Sequence, residues 1–141
     1  MKYIIVYWSR FGNNKRIVDA LEPMLAKKGT VTVVKAGTPE AAKLPPADVY
    51  IFSAAAEKFS IQADMKKLMK GLRGMEGKKY AIINTHALKF KNWLGRMDKL
   101  LKKSGMTKVA EAAFYMGPGT DKGKGLGEGW EKQLEEFAGK L

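Results

Sequence analysis

The chain has 141 residues, 45% of them hydrophobic, and 26 Lys and Arg against 14 Asp and Glu give a formal net charge of +12. The length suits one compact domain, residues 1–141, with a sizeable core. With no cysteine there is no disulfide, thiolate ligand or Cys nucleophile, and one histidine cannot build a zinc site alone, so no metal is expected.

The positive balance points to acidic proteins, phosphorylated ligands or nucleic acid as partners, or to nothing beyond solubility. No apolar run approaches the roughly 20 residues that cross a bilayer. Residues 1–8 enter a polar loop at once, without the basic, apolar and cleavage regions of a signal peptide. A cytoplasmic protein without membrane contact is expected.

Residues 2–8 (KYIIVYW) form a near-continuous β-branched and aromatic run, the pattern of a strand covered on both faces. Residues 14–28 carry Ile17, Val18, Leu21, Met24 and Leu25 at helical spacing, with Gly29 as the expected C-terminal cap and a kink expected at Pro23. Residues 30–35 (TVTVVK) read as a second strand. Residues 36–47 hold Gly37, Pro39, Pro45 and Pro46 and read as a connecting loop with room for a helical turn. A third buried strand at 48–53 (DVYIFS) leads into Ala54, Ala55 and Ala56.

Residues 61–72 place Ile61, Met65, Leu68, Met69 and Leu72 on one helical face with Lys66, Lys67 and Lys70 opposite. The strand at 79–84 (KYAIIN) is followed by a basic loop at 85–92, then a helix whose stripe is Trp93, Leu94, Met97, Leu100 and Leu101. Residues 108–116 read as a fifth strand, and Trp130, Leu134, Phe137 and Leu141 mark a last helix. The Met and Trp residues of these stripes are read as core, not as a cofactor-binding surface.

Alternating strands and helices predict an α/β doubly wound domain with a parallel sheet, because parallel neighbours need helical, right-handed crossovers. Ligands of such sheets sit beyond the carboxyl ends of the strands, at the switch point of strand order. Three loops qualify: 9–14, 54–60 and 85–92. The first joins a buried strand to a helix N-terminus, where backbone N–H groups and the positive dipole end favour an anion. Gly12 permits close approach, Ser9, Asn13 and Asn14 bring donors, and Arg10 and Lys15 bring charge. The same serine and asparagines also suit plain turn and capping roles, and both readings stand on spacing alone.

The run VYWSRFGNN at residues 6–14 resembles the flavodoxin phosphate loop. Ser9, Gly12 and Asn13 match directly. Phe11 stands where the family has a hydroxyl residue, Asn14 where it usually has threonine, and Arg10 where it has a small residue. The resemblance extends along the chain, with ADVYIFSAAAEKF (47–59) at the second flavin loop and KKYAIINTHALKF (78–90) at the third. It implies a three-layer, flavodoxin-like sandwich around a five-stranded parallel sheet of order 2-1-3-4-5. It further implies a non-covalent FMN whose phosphate sits at Ser9, Arg10, Phe11, Gly12, Asn13 and Asn14. The ring would lie between the other two loops, near Ala54, Ala55, Ala56, Glu57 and Phe59 on one side and Thr85, His86, Ala87 and Phe90 on the other. Phe59, Phe90 and Trp93 are stacking candidates, with core packing the alternative for Phe59 and Trp93. His86 is a candidate donor to the flavin or to loop carbonyls.

The implied function is a redox carrier rather than an enzyme, with no catalytic residue of its own. Flavodoxins are usually acidic, whereas residues 88–103 hold six Lys and Arg against Asp98 alone. This inversion implies a stabilised anionic reduced flavin and acidic redox partners such as ferredoxin-type or reductase proteins; nucleic acid is not expected. Two other functions remain open: an FMN-dependent oxidoreductase, such as a quinone reductase, and a flavin-free flavodoxin-like binding protein. A response-regulator receiver is set aside, because Ser9, Arg10 and Ser53 stand where acidic residues would be required. The stretch GPGTDKGKGLGEG (117–129) fits neither G-x-G-x-x-G nor G-x-x-x-x-G-K-[ST]. It reads as a connector, a lid, or a partner contact through Lys122 and Lys124.

Overall fold

The computed structural model describes residues 1–9, 12–57, 60–86, 92–115 and 126–141. Three strands form the centre of the sheet: β1 (Lys2–Tyr7), β3 (Val49–Glu57) and β5 (Lys79–His86). They are flanked by β2 (Thr30–Lys35) and β6 (Thr107–Tyr115), all parallel, in the order β2-β1-β3-β5-β6. A two-residue strand, β4 (Ser60–Ile61), pairs antiparallel with the end of β3.

Four helices cover the two faces. Because side chains alternate across a strand, Tyr3 and Ile5 point to one core while Ile4 and Val6 point to the other. The first core meets α1 (Asn13–Ala26) and α4 (Trp130–Ala138); the second meets α2 (Ala63–Gly71) and α3 (Leu94–Lys103). The expected stripes do this packing: Ile17, Val18, Leu21 and Leu25 are buried on α1, Met65 and Met69 on α2, Met97 and Leu101 on α3, Trp130, Leu134 and Phe137 on α4. Trp93 is also core. Among the described residues no helix is long and apolar enough to cross a membrane.

Several boundaries differ from the sequence reading. Helix α1 runs on through Pro23 to Ala26, and its C-cap is Lys27 in a right-handed conformation, not Gly29. Gly29 serves instead as a point of close approach: a Cβ there would lie 1.9 Å from the Met1 carbonyl oxygen, which accepts the Thr30 N–H at 2.9 Å. The connection from β2 to β3 is a series of turns, as its glycine and prolines predict, and it packs Ala36, Ala41 and Ala47 into the second core.

A polar network joins β5, α3 and β6. The buried Tyr80 hydroxyl donates to the Asp98 carboxylate, which also meets Lys102 at 2.9 Å and Lys108 at 3.6 Å. Burial disfavours the charged form of Asp98, but the Tyr80 and Lys102 hydrogen bonds and the Lys108 charge outweigh it and hold its pKa below the usual value. Burial first, then Asp98, pushes the Tyr80 phenol well above its ordinary value.

Two predictions follow from these contacts. Gly29→Ala lowers stability by about 1–3 kcal/mol through overpacking, whereas Gly71→Ala, with nothing within 4 Å of its Cβ, is neutral or stabilising; urea unfolding of both variants distinguishes them. Tyr80→Phe costs about 1–2 kcal/mol near neutral pH. Because the Asp98 pKa is lowered, that difference is lost as pH falls below the ordinary carboxylate value of about 4. Because the Tyr80 pKa is raised, it is also lost as pH climbs above about 10. Unfolding curves of the two proteins across pH check both limits.

Candidate functional site at the carboxyl edge of the sheet

The chain leaves β1 to build β2 on one side of it and returns to build β3 on the other, so strand order reverses between the carboxyl ends of β1 and β3. Splayed connections leave a crevice at such a point. Buried polar residues gather at this edge: Asn13 and Asn14 on α1, Ser53 on β3, Gln62 before α2, and Asn84, Thr85 and His86 on β5.

At the first connection Gly12 is the N-cap of α1, with φ +88°, a left-handed conformation that L side chains resist. The Gly12 carbonyl starts the helix by accepting Arg16 N–H at 2.9 Å, and Ser9 Oγ accepts Lys15 N–H at 3.3 Å. The amides of Asn13 and Asn14 lie in the first turn, where a helix offers no internal acceptor. The Asn14 side chain turns inward: it donates to the Trp8 carbonyl at 3.0 Å and accepts from the buried Ser53 hydroxyl at 2.9 Å. Its capacity toward an anion is therefore mainly that of its backbone N–H. The Lys15 ammonium hydrogen-bonds Asp19, which raises its pKa and directs it along the helix.

The second and third connections differ from expectation. Ala54, Ala55, Ala56 and Glu57 are not loop but the last residues of β3, held there by the Ala56–Ile61 and Glu57–Ser60 pairs of the β4 hairpin. Strand β5 continues past Asn84 to His86, because Thr85 pairs with Ala55 and Phe114, and His86 with Tyr115. Small alanines were read as loop chemistry where cross-strand pairing overrides local propensity. Thr85 and His86 are buried, and the His86 ring meets that of Tyr115 at 5.9 Å. Thr85 Oγ1 is buried without a hydrogen-bond partner among the described residues. Arg10, Phe11, Phe59, Ala87 and Phe90 lie outside the described residues, as does 117–125 of the glycine-rich stretch; its end, Gly129, caps α4 with φ +84°.

Two residues that the sequence reading did not assign to the site organise it. Ser53 ties β3 to α1 through Asn14, and Asn84 ties β3 to α3 by donating to the Ala54 carbonyl at 3.0 Å and accepting Trp93 N–H at 3.0 Å. Their signal in the sequence is a polar residue closing an otherwise apolar strand.

Charge is distributed unevenly between the two faces. Helix α2 presents Lys66, Lys67 and Lys70 against Asp64, and α3 presents Arg96, Lys99, Lys102 and Lys103 against Asp98, itself occupied by Tyr80, Lys102 and Lys108. On the opposite face α1 balances Lys15 and Arg16 with Asp19 and Glu22, and α4 sets Lys132 against Glu131, Glu135 and Glu136. The net positive charge of the four helices thus belongs to the α2/α3 face.

No protein-family model matches the sequence, and no curated protein does. Solved structures are similar throughout its length. A Streptococcus pneumoniae TIGR4 flavodoxin superposes with TM-score 0.80 at 21% identity, covering 100% of this chain and 97% of that one. Two-electron reduced Megasphaera elsdenii flavodoxin superposes with TM-score 0.68 at 19% identity, covering 99% of each. A flavo-diiron protein from Thermotoga maritima matches 99% of this chain over 34% of its own, with TM-score 0.72 and 17% identity. The fold is flavodoxin-like, with the expected order of the five parallel strands.

Removing the Asn14 amide orphans the Ser53 hydroxyl and the Trp8 carbonyl. Asn14→Leu is expected to cost about 2–4 kcal/mol. Adding Ser53→Ala recovers about 1 kcal/mol, a coupling that a double-mutant cycle on urea unfolding measures.

Proposed function

We propose that the protein is an electron carrier that binds FMN non-covalently at the carboxyl edge of its sheet. The observation that carries this reading is the Thr85 hydroxyl. It is buried, lacks a partner among the described residues, and belongs to a residue paired with Ala55 near the carboxyl end of β5. A buried hydroxyl without a partner costs about 1–3 kcal/mol, a cost that a polar ligand group reaching the end of β5 removes. The residues present fit the cofactor. Ser9 accepts the Lys15 N–H and keeps its own hydrogen to donate. Gly12 opens the N-terminus of a 14-residue helix to an anion.

On this reading the phosphate is held by Ser9, Gly12 and the backbone amides of Asn13 and Asn14, with Arg10 and Phe11 in the same loop. The ring system is bounded by residues 54–59, with Phe59, and by 85–90, with His86, Ala87 and Phe90. The alanines Ala54 and Ala55 allow the backbone of β3 to come close, and the Asn84 bridge keeps β3 and α3 at a fixed separation around the ligand. FMN, when bound, supplies one- or two-electron storage. The protein's part is to hold it and to set the charge around it. The basic α2/α3 side lowers the cost of adding negative charge at the site and attracts acidic redox partners.

Thr85→Val separates this reading from a purely structural role. Removing the orphan hydroxyl stabilises the flavin-free chain by about 1–3 kcal/mol. It also weakens FMN binding about tenfold, the equivalent of one lost hydrogen bond, as read by quenching of flavin fluorescence on titration. A destabilised flavin-free variant, or an unchanged FMN affinity, contradicts the assignment.

A further inference from the structure

We propose that the α2/α3 face is the docking surface for an acidic protein, which seats an apolar side chain in the groove between α2 and the β2–β3 connection. The groove exists because residues 36–47 cross from β2 to β3 as turns. A helical crossover would cover more of the second core, and the turns leave a cleft of about 670 Å³ open beside α2. Ala41, Leu44, Leu68 and Leu72 line it, and Lys43 and Lys67 stand at its edge. A largely apolar cleft that also holds Lys43, Lys67 and Arg73 against Asp64 fits the general anatomy of an interface, a desolvated anchor site within a polar rim.

The surrounding charge selects the partner. All three lysines of α2 and the four cations of α3 share one face, while on the other face the acids of α1 and α4 are offset by Lys15, Arg16 and Lys132 and by Lys27, Lys28 and Lys140 at the helix ends, so the positive field is strongest outward from α2 and α3. Duplex nucleic acid would satisfy the cations, but its phosphate backbone has nothing to place in an apolar cleft. A membrane would need apolar wedges at its contact face. Among the described residues the large exposed hydrophobics are Met1 and Tyr115, and neither lies on α2 or α3.

The face also begins at the candidate site. Helix α2 starts two residues after β4, and the N-cap of α3, Trp93, is bonded to Asn84 on β5. A docked protein therefore reaches the crevice rim. That it exchanges electrons there rests on the FMN reading; that it docks does not, so docking is measured on the flavin-free chain and fails or succeeds independently.

The probes are two fluorescent glutamate-rich peptides of equal length and charge, one with a central leucine, followed by anisotropy. Burial of the leucine makes its peptide bind about tenfold tighter. Ala42→Trp, at an exposed position lining the groove, abolishes that advantage and leaves the all-polar peptide unaffected; Gly71→Leu, with open space at its Cβ, serves if the first variant does not fold. Charge reversal at Lys67, Lys70, Lys99 and Lys103 weakens both peptides at least about tenfold, whereas reversal of Lys15 and Lys132 on the other face does not. Equal affinity of the two peptides overturns the proposal. So does equal loss in the two charge-reversal variants, or displacement of the peptides by duplex DNA or phosphatidylglycerol vesicles more readily than by unlabelled peptide.

Discussion

The Asn14 side chain hydrogen-bonds the start of α1 to both of the central strands on which that helix packs. Its amide donates to the carbonyl of Trp8 at the end of β1 and accepts from Ser53 within β3, while its backbone belongs to the first turn of α1. Asn14 and Ser53 are buried and Trp8 is half-buried, so these bonds are worth more than a surface contact and costly to leave open. The consequence is positional. With α1 fixed against both central strands, its N-terminal amides face the point where strand order reverses, and Gly12 makes the turn that brings them there.

The architecture was readable because its signals were long and periodic. The run KYIIVYW could only be a strand covered on both sides, and each helical stripe found the core it predicted. Errors fell at the carboxyl ends of β3 and β5, where Ala54 to Glu57 and Thr85 to His86 read as loop but are strand. Alanine is a poor strand former, and its extended state here is imposed by pairing with β5 and β4, partners far away in the sequence. Gly29 was misassigned for a related reason: a C-terminal cap is local, whereas its contact with Met1 is made across the sheet. The phosphate-loop resemblance could not tell that Asn14 would spend its side chain on the fold.

The charge of the chain was legible as a sum but not as a direction. Summed over the sequence, +12 is compatible with simple solubility. Counted by face it is uneven, strongly basic over α2 and α3 and close to balance over α1 and α4 with the lysines at their ends. Asp98 deepens the asymmetry, since Tyr80, Lys102 and Lys108 already occupy its carboxylate. If the site holds FMN as proposed, this polarity eases its reduction and draws acidic surfaces to it.

The account turns on an anion held at the start of α1, and comparing FMN with riboflavin by isothermal titration calorimetry tests that most directly, because the two differ only in the phosphate. Two charge-assisted hydrogen bonds from this loop are worth about 100-fold or more in affinity. FMN is expected to bind at least that much more tightly than riboflavin, and equal affinities, or no binding of either, would contradict it.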